Sequence, residues 1–337
     1  MTVVGGFKAA TQRKDALGVH SIGAFALTVP KIEQAEHFYG SFGLELRAEG
    51  NHLALRTAGN DPQWGGYRWG RVTAGVRKAI HHIAFHCFEE DLPRFKAHVE
   101  AQGVRLLDPP ADFASNGLWF HDHDGTLVEI RVGPKTSPDA KPTVEMVDQA
   151  AGIGRAPDRS RMPTVRPRRL AHILRFTTSV ERAVEFYGRV LGLRLSDRSD
   201  DIVAFMHGVH GSDHHLMAFV KSSAPGLHHL SWDMPSVETV GLGAMNMADK
   251  GYRKGWGLGR HVLGSNYFHY VRDPWGSFCE YSCDIDYIPV TMDWQAGNHP
   301  AEDSLYLWGP EMPPEFVVNT EAEDWAAKIE TPEATHG

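Results

Sequence analysis

The sequence predicts an α+β protein of four βαβββ modules paired into two domains, each a curved mixed sheet, with a metal site in the C-terminal domain. Three internal repeats carry that expectation. Residues 21–44 (SIGAFALTVPKIEQAEHFYGSFGL) and 169–193 (RLAHILRFTTSVERAVEFYGRVLGL) both read as an alternating apolar strand, a polar turn and a short amphipathic helix. Both helices are expected to end in Phe-Tyr-Gly, at Phe38-Tyr39-Gly40 and Phe186-Tyr187-Gly188. The strand Ala79-Ile80-His81-His82-Ile83-Ala84-Phe85 recurs as Gly226-Leu227-His228-His229-Leu230-Ser231-Trp232. Each copy leads through a helix-like stretch to an Asp-x-x-Gly-x-x-x-Glu ending, Asp122 to Glu129 and Asp273 to Glu280, at equal spacing.

In chain order the modules fall near 18–60, 78–133, 169–221 and 226–285. An N-terminal domain is therefore expected over 1–133 and a C-terminal one over 169–285. Between them, 134–168 holds Pro134, Pro138, Pro142, Pro157, Pro163 and Pro167 among Gly, Ser and charged residues, and reads as a linker. After 286 the repeat stops. The tail, 286–337, carries Trp294, Tyr306, Leu307, Trp308 and Phe316 interspersed with prolines, a composition that covers apolar surface without forming a regular element. It is expected either to close over the mouth of the second domain as a lid or to pack on the outer sheet or a neighbouring subunit, and its acidic last dozen residues are expected to fray.

At 337 residues, with 42% hydrophobic and 23% charged residues, the composition is that of an ordinary globular protein and excludes collagen-like, disordered and membrane classes. The net charge of −8, with no dense basic run, argues against a nucleic-acid partner. No run of about 18 apolar residues occurs, so no membrane span is expected. The start lacks the apolar run of a signal peptide, and a cytoplasmic location follows. Cys87, Cys279 and Cys283 are too few and too unevenly placed for a disulfide framework or a zinc knuckle. The 20 His, by contrast, cluster within structured-looking segments, which brings metal chemistry forward.

Three residues in the second domain have the types and strand placement of a facial triad: His172, His229 and Glu280. Two imidazoles and one carboxylate on neighbouring strands leave the opposite face of an octahedral ion open for substrate and oxygen, an arrangement that suits non-haem Fe(II). Any one of them alone would be read as a core histidine or a solvated strand-end carboxylate. All three, however, sit at equivalent repeat positions within one domain.

The segment Gly259-Arg260-His261, eight further residues, then Tyr270-Val271-Arg272-Asp273-Pro274-Trp275-Gly276-Ser277-Phe278-Cys279-Glu280 resembles the signature of type I extradiol ring-cleavage dioxygenases of the vicinal oxygen chelate superfamily. One departure is His269, where that family usually has an aliphatic residue or Phe. The resemblance extends over roughly 18–285 and implies metal ligation by His172, His229 and Glu280. It implies acid/base work by His215, with His261 and Tyr270 hydrogen-bonding the substrate oxygens. In the pairs His214-His215 and His228-His229 it places the functional imidazole second, with His214 and His228 as fallbacks. Counting fifteen back from Tyr187 reaches His172, whereas fifteen back from Tyr39 reaches Ala24, so no catalytic metal is expected in the first domain despite His82 and Glu129.

The activity implied is Fe(II)-dependent extradiol cleavage of a catechol-type ring with O2 as co-substrate, giving a hydroxymuconic semialdehyde-type product. Mn(II) suits the same ligands. Trp256, where some relatives place an Arg, together with Phe268 is expected to line the substrate pocket and favour an apolar or aryl-substituted catechol. Arg253, Lys254 and Arg260 are expected on a solvated loop. The alternatives are a metal-free or inert-metal binding protein on the same fold, since fold does not determine function, and a glyoxalase-like isomerase. Family resemblance also implies a homo-oligomer.

Overall fold

The computed structural model describes residues 10–146, 150–154 and 156–322; the expectations for the first nine residues and for the end of the chain beyond 322 lie outside them. The N-terminal sheet is built from β1 (Ser21–Val29), β2 (Glu45–Glu49), β3 (His52–Arg56), β4 (Arg68–Ala74), β5 (Ala79–Cys87), β6 (Leu118–His121) and β7 (Leu127–Val132), in the order 2-3-4-1-5-7-6. Helix α1 (Ile32–Phe42) links β1 to β2 and helix α2 (Leu92–Ala101) links β5 to β6, one in each module.

The second half repeats this plan. β8 (Arg169–Thr177), β9 (Arg194–Ser199), β10 (Val203–His207), β12 (Met217–Lys221), β13 (Gly226–Asp233), β14 (Gly255–His261), β15 (Tyr267–Arg272) and β16 (Phe278–Cys283) lie in the order 9-10-12-8-13-16-15-14, with α3 (Val180–Leu191) and α4 (Val237–Asp249) between them. In each half two antiparallel strands form the centre (β1 with β5, β8 with β13), and each is flanked by a parallel neighbour. The second module lacks a counterpart of β14. A single bridge, Leu107 to Trp119, stands in its place, and the adjoining Pro109 and Pro110 have no N–H to extend a ladder.

The helices expected to stop at Phe-Tyr-Gly run on to Gly43 and Gly192, whose left-handed φ values of 105° and 74° let the chain turn and cap the helix carbonyls. The Phe-Tyr-Gly tyrosine then ties the halves together. Tyr187 donates to Asp122 Oδ2 (2.9 Å), which also accepts from Arg175 Nη1 (2.6 Å), all three buried. On the other side Tyr281 stacks on Phe42, ring centroids 3.9 Å apart, and donates to its carbonyl at 2.9 Å. The proline-rich connection is partly anchored: Thr136 and Ser137 are buried and bond to the carbonyls of Ile22 and His20.

The tail was expected to lack regular elements, yet among its described residues it forms three short strands. β17 (Tyr287–Ile288) pairs with β11 (Ser212–Asp213), β18 (Gly297–Asn298) adds to β9, and β19 (Tyr306–Trp308) adds to β14. β9 and β14 are the two edges of the C-terminal sheet, so the segment between them, including α5 (Ala301–Ser304), crosses the concave face from rim to rim.

Candidate metal centre

Register brings the three expected ligands to one face. His172 on β8 pairs with Ser231 on β13, Ser231 pairs with Glu280 on β16, and Glu280 pairs with Tyr270 on β15. Directly paired residues project to the same side of a sheet, and His229, two before Ser231, shares that side. A bulge in β13 between Leu227 and His229 inserts His228 opposite no partner, so both His228 and His229 border the same cavity.

The geometry is close. His172 Nε2 lies 3.2 Å from Glu280 Oε2 and His229 Nε2 lies 3.7 Å from the same oxygen. One ligand atom from each of the three residues falls within 4.8 Å of the others. Among the described residues this is the one such group of His, Cys, Asp or Glu, and all three members are buried. His229 Nε2 and Glu280 Oε2 have no hydrogen-bond partner among the described residues. Buried polar atoms are rarely left unpaired, so a shared divalent cation fits the vacancy in their bonding. Burial acts to raise the Glu280 carboxyl, but the neighbouring His172 and His261 imidazoles hold it below the ordinary carboxylate value. Its other oxygen, Oε1, accepts from Asn266 Nδ2 at 3.1 Å.

The cavity over this group has a volume of about 250 Å³. His215, His261 and Tyr270 all line it. His215 packs on His172, ring centroids 4.1 Å apart, and burial followed by the neighbouring imidazoles holds it well below the usual histidine range. His261 bonds the Leu305 carbonyl through Nδ1 (2.7 Å) and Tyr270 through Nε2 (2.9 Å). Burial, reinforced by Glu280, pushes the Tyr270 phenol well above its ordinary value. Apart from Ser199, Asn266 and Ser304, the remaining wall is apolar, with Leu174, Ile202, Val203, Phe205, Val220 and Leu263 from the sheet side and Leu305, Met312, Phe316 and Val317 from the tail.

Trp256 and Phe268, expected on this wall, stand behind it. Phe268 stacks under His261 at 4.0 Å, and Trp256 is covered by Phe316 (4.8 Å) while its Nε1 donates to the Pro310 carbonyl at 2.8 Å. Arg253 and Lys254 border a separate surface cleft, and Arg260 lies over the Tyr267 ring near Asp284, so none of the three reaches the cavity. Asn266 was missed from the sequence. The repeat held the clue, because Ser115 contacts the equivalent Glu129 in the N-terminal half. There, Ala24 pairs with Ala84 as His172 does with Ser231, and Trp119 occupies the Tyr270 position opposite Glu129. His82 packs against that Trp119 ring at 4.8 Å, and burial brings it down to about 3.

Comparison with known proteins gives a consistent picture. The family model described as the Glyoxalase/Bleomycin resistance protein/Dioxygenase superfamily matches residues 21–130 and 169–281. The chain is 51% identical over 304 residues to metapyrocatechase 2 of Cupriavidus necator, covering 90% of this chain and 93% of that protein. It is 24% identical over 320 residues to a manganese-dependent 2,3-dihydroxybiphenyl 1,2-dioxygenase of Geobacillus genomosp. 3, covering 88% and 96%. Among solved structures, the Mn(II)-bound glyoxalase from Novosphingobium aromaticivorans superposes with a TM-score of 0.71 at 26% identity, over 90% of this chain and 95% of that one.

Proposed function

The chain belongs to the glyoxalase/bleomycin resistance protein/dioxygenase superfamily, and from that footing we infer that it is an extradiol dioxygenase, opening a catechol ring beside its two hydroxyls with O2 to give a hydroxymuconic semialdehyde-type product. The observation that carries this reading is the His172, His229 and Glu280 group on the floor of an apolar cavity that also holds His215, His261 and Tyr270. His172, His229 and Glu280 would hold the divalent ion. When bound, it would supply a Lewis acid with open coordination sites at which catechol and O2 can be brought together.

The chain's own groups do the rest. A catechol must lose a proton on binding, and His215, held neutral by its burial, is placed to accept it. Tyr270 stays a phenol and His261 neutral, so the Tyr270 hydroxyl donates to His261 Nε2 while His261 Nδ1–H donates to the Leu305 carbonyl. Substrate oxygens arriving beside this pair meet a preset hydrogen-bonding edge. The apolar wall excludes water and favours an alkyl- or aryl-substituted ring over a carboxylated one, because no Lys or Arg lines the cavity among the described residues.

The ion assigned is Fe(II). Metal-free protein reconstituted without oxygen, with either Fe(II) or Mn(II), tests both assignments when given 3-alkyl-, 3-aryl- and carboxymethyl-catechols. Ring-cleavage absorbance is expected from the Fe(II) form, with the highest kcat/KM for the first two substrates. Activity with Mn(II) alone would overturn the choice of ion, and a preference for the carboxymethyl compound would overturn the substrate class. The same reading carries a homo-oligomer located in the cytoplasm, the first checked by light scattering.

A further inference from the structure

His215 does not stand alone in the cavity wall. Its Nδ1 lies 3.0 Å from Nδ1 of His214, and Nε2 of His214 lies 2.8 Å from Asp197 Oδ2 on β9. The second oxygen of Asp197 is occupied by the tail, accepting from the Gly297 N–H at 2.7 Å and from His299 Nε2 at 3.1 Å. Trp294 closes the arrangement, its ring 5.6 Å from that of His214 and its Nε1 donating to the Ser196 carbonyl at 2.9 Å. Asp197, His214 and His215 are all buried.

We propose that Asp197 and His214 are positioning residues that fix the tautomer of His215, so that it presents a bare Nε2 to the substrate. The direction follows from donor and acceptor counting. An ionised carboxylate only accepts, so the His214 nitrogen facing Asp197 must carry the proton. With a single N–H on the His214 ring, held by Asp197, His214 Nδ1 is left as an acceptor. Between two facing Nδ1 atoms one must donate, and that is now His215. Its own single proton therefore sits on Nδ1, and Nε2 is left with a lone pair. A carboxylate orienting a catalytic imidazole through its far nitrogen is the logic of the serine-protease triad, here extended through a second histidine.

A second site repeats the construction. His228 Nδ1 lies 2.8 Å from Nδ1 of His229, and the backbone of Phe316 hydrogen-bonds the His228 ring. His229 thereby keeps Nε2 free toward Glu280, as a metal ligand requires. His215 and His229 are each backed by the histidine before them in sequence, and each backing histidine is held by a group that belongs to the tail or is gripped by it. The pairing of adjacent histidines read from the sequence thus divides into one that faces the cavity chemistry and one that orients it.

The proposal deepens the dioxygenase reading, yet its decisive test needs no turnover. In metal-free protein labelled with 15N-histidine, long-range 1H–15N correlations report which ring nitrogen of His215 carries the proton, with His215→Gln supplying the assignment. The expected result is Nδ1–H at His215 in the wild type. In Asp197→Asn the amide can donate to His214, which reverses the chain of bonds and moves the His215 proton to Nε2. With Fe(II) loaded, kcat of that variant should fall roughly 10- to 100-fold while KM and metal content stay within about threefold. An Nε2–H tautomer in the wild type would overturn the proposal, as would an Asp197→Asn protein with wild-type tautomer and kcat. If that variant does not fold, the wild-type tautomer alone decides. Should no catechol be cleaved by any form, the dioxygenase reading fails and the tautomer result stands separately.

Discussion

Glu280 sits between His172, Asn266 and the orphaned His229 Nε2, and its charge is what these neighbours are arranged to receive. Glu280→Gln keeps the volume and removes the charge, so Fe(II) affinity measured anaerobically by calorimetry should fall at least 100-fold, whereas His82→Ala in the other half should leave it unchanged. Equal affinity in the wild type and Glu280→Gln would refute the placement of the ion. His172, His229 and Glu280 were legible because two repeats of one pattern show which strand positions face alike. Trp256 was misread for a definite reason: it is paired with Tyr270 in register, but Phe316 lies across it, and nothing in the sequence locates Phe316 over that strand. Asn266 escaped because it lies in the short connection between β14 and β15, where no strand alternation says which way a side chain points.

At the scale of elements, strands of five to nine residues announced themselves through alternation, whereas β18 and β19, two and three residues long, carry too few positions for any periodicity to show. Their effect is large for their size, since they moor the tail to both rims of the C-terminal sheet. The segment from Ala301 to Val317 contributes part of the cavity wall, and we propose that it acts as a lid. A chain ending at His299 keeps the contacts to Asp197 and loses that wall. KM for catechols should rise roughly tenfold, with O2 uptake exceeding ring cleavage as water enters. Unchanged KM and coupling in a folded protein of this length would eliminate the lid.

On the scale of the whole molecule, both halves bury neutral histidines, and this makes the fold sensitive to acid. Burial lowers His82 to about 3, and His86 and His207 to about 4. His86 also accepts from Arg131 Nε at 3.3 Å, a bond its protonated form could not make. Between the folded values and the unfolded value of about 6.5 the unfolded chain binds more protons, so the contribution is fully present above pH 6.5 and is lost as pH falls toward 4. At pH 5.5 each such group costs about 1.4 kcal/mol. The denaturant midpoint should therefore drop clearly between pH 7.5 and 5.5, and a midpoint that holds steady would contradict it. The central claim, that this two-domain fold concentrates one ring-opening site in its C-terminal half, meets its most direct test in oxygen uptake. Fe(II)-loaded protein given a 3-alkyl- or 3-arylcatechol should consume one O2 per substrate with the rise of a yellow ring-opened product, and the His172→Ala protein should do neither; no ring-cleavage absorbance across monocyclic and bicyclic catechols would contradict the account.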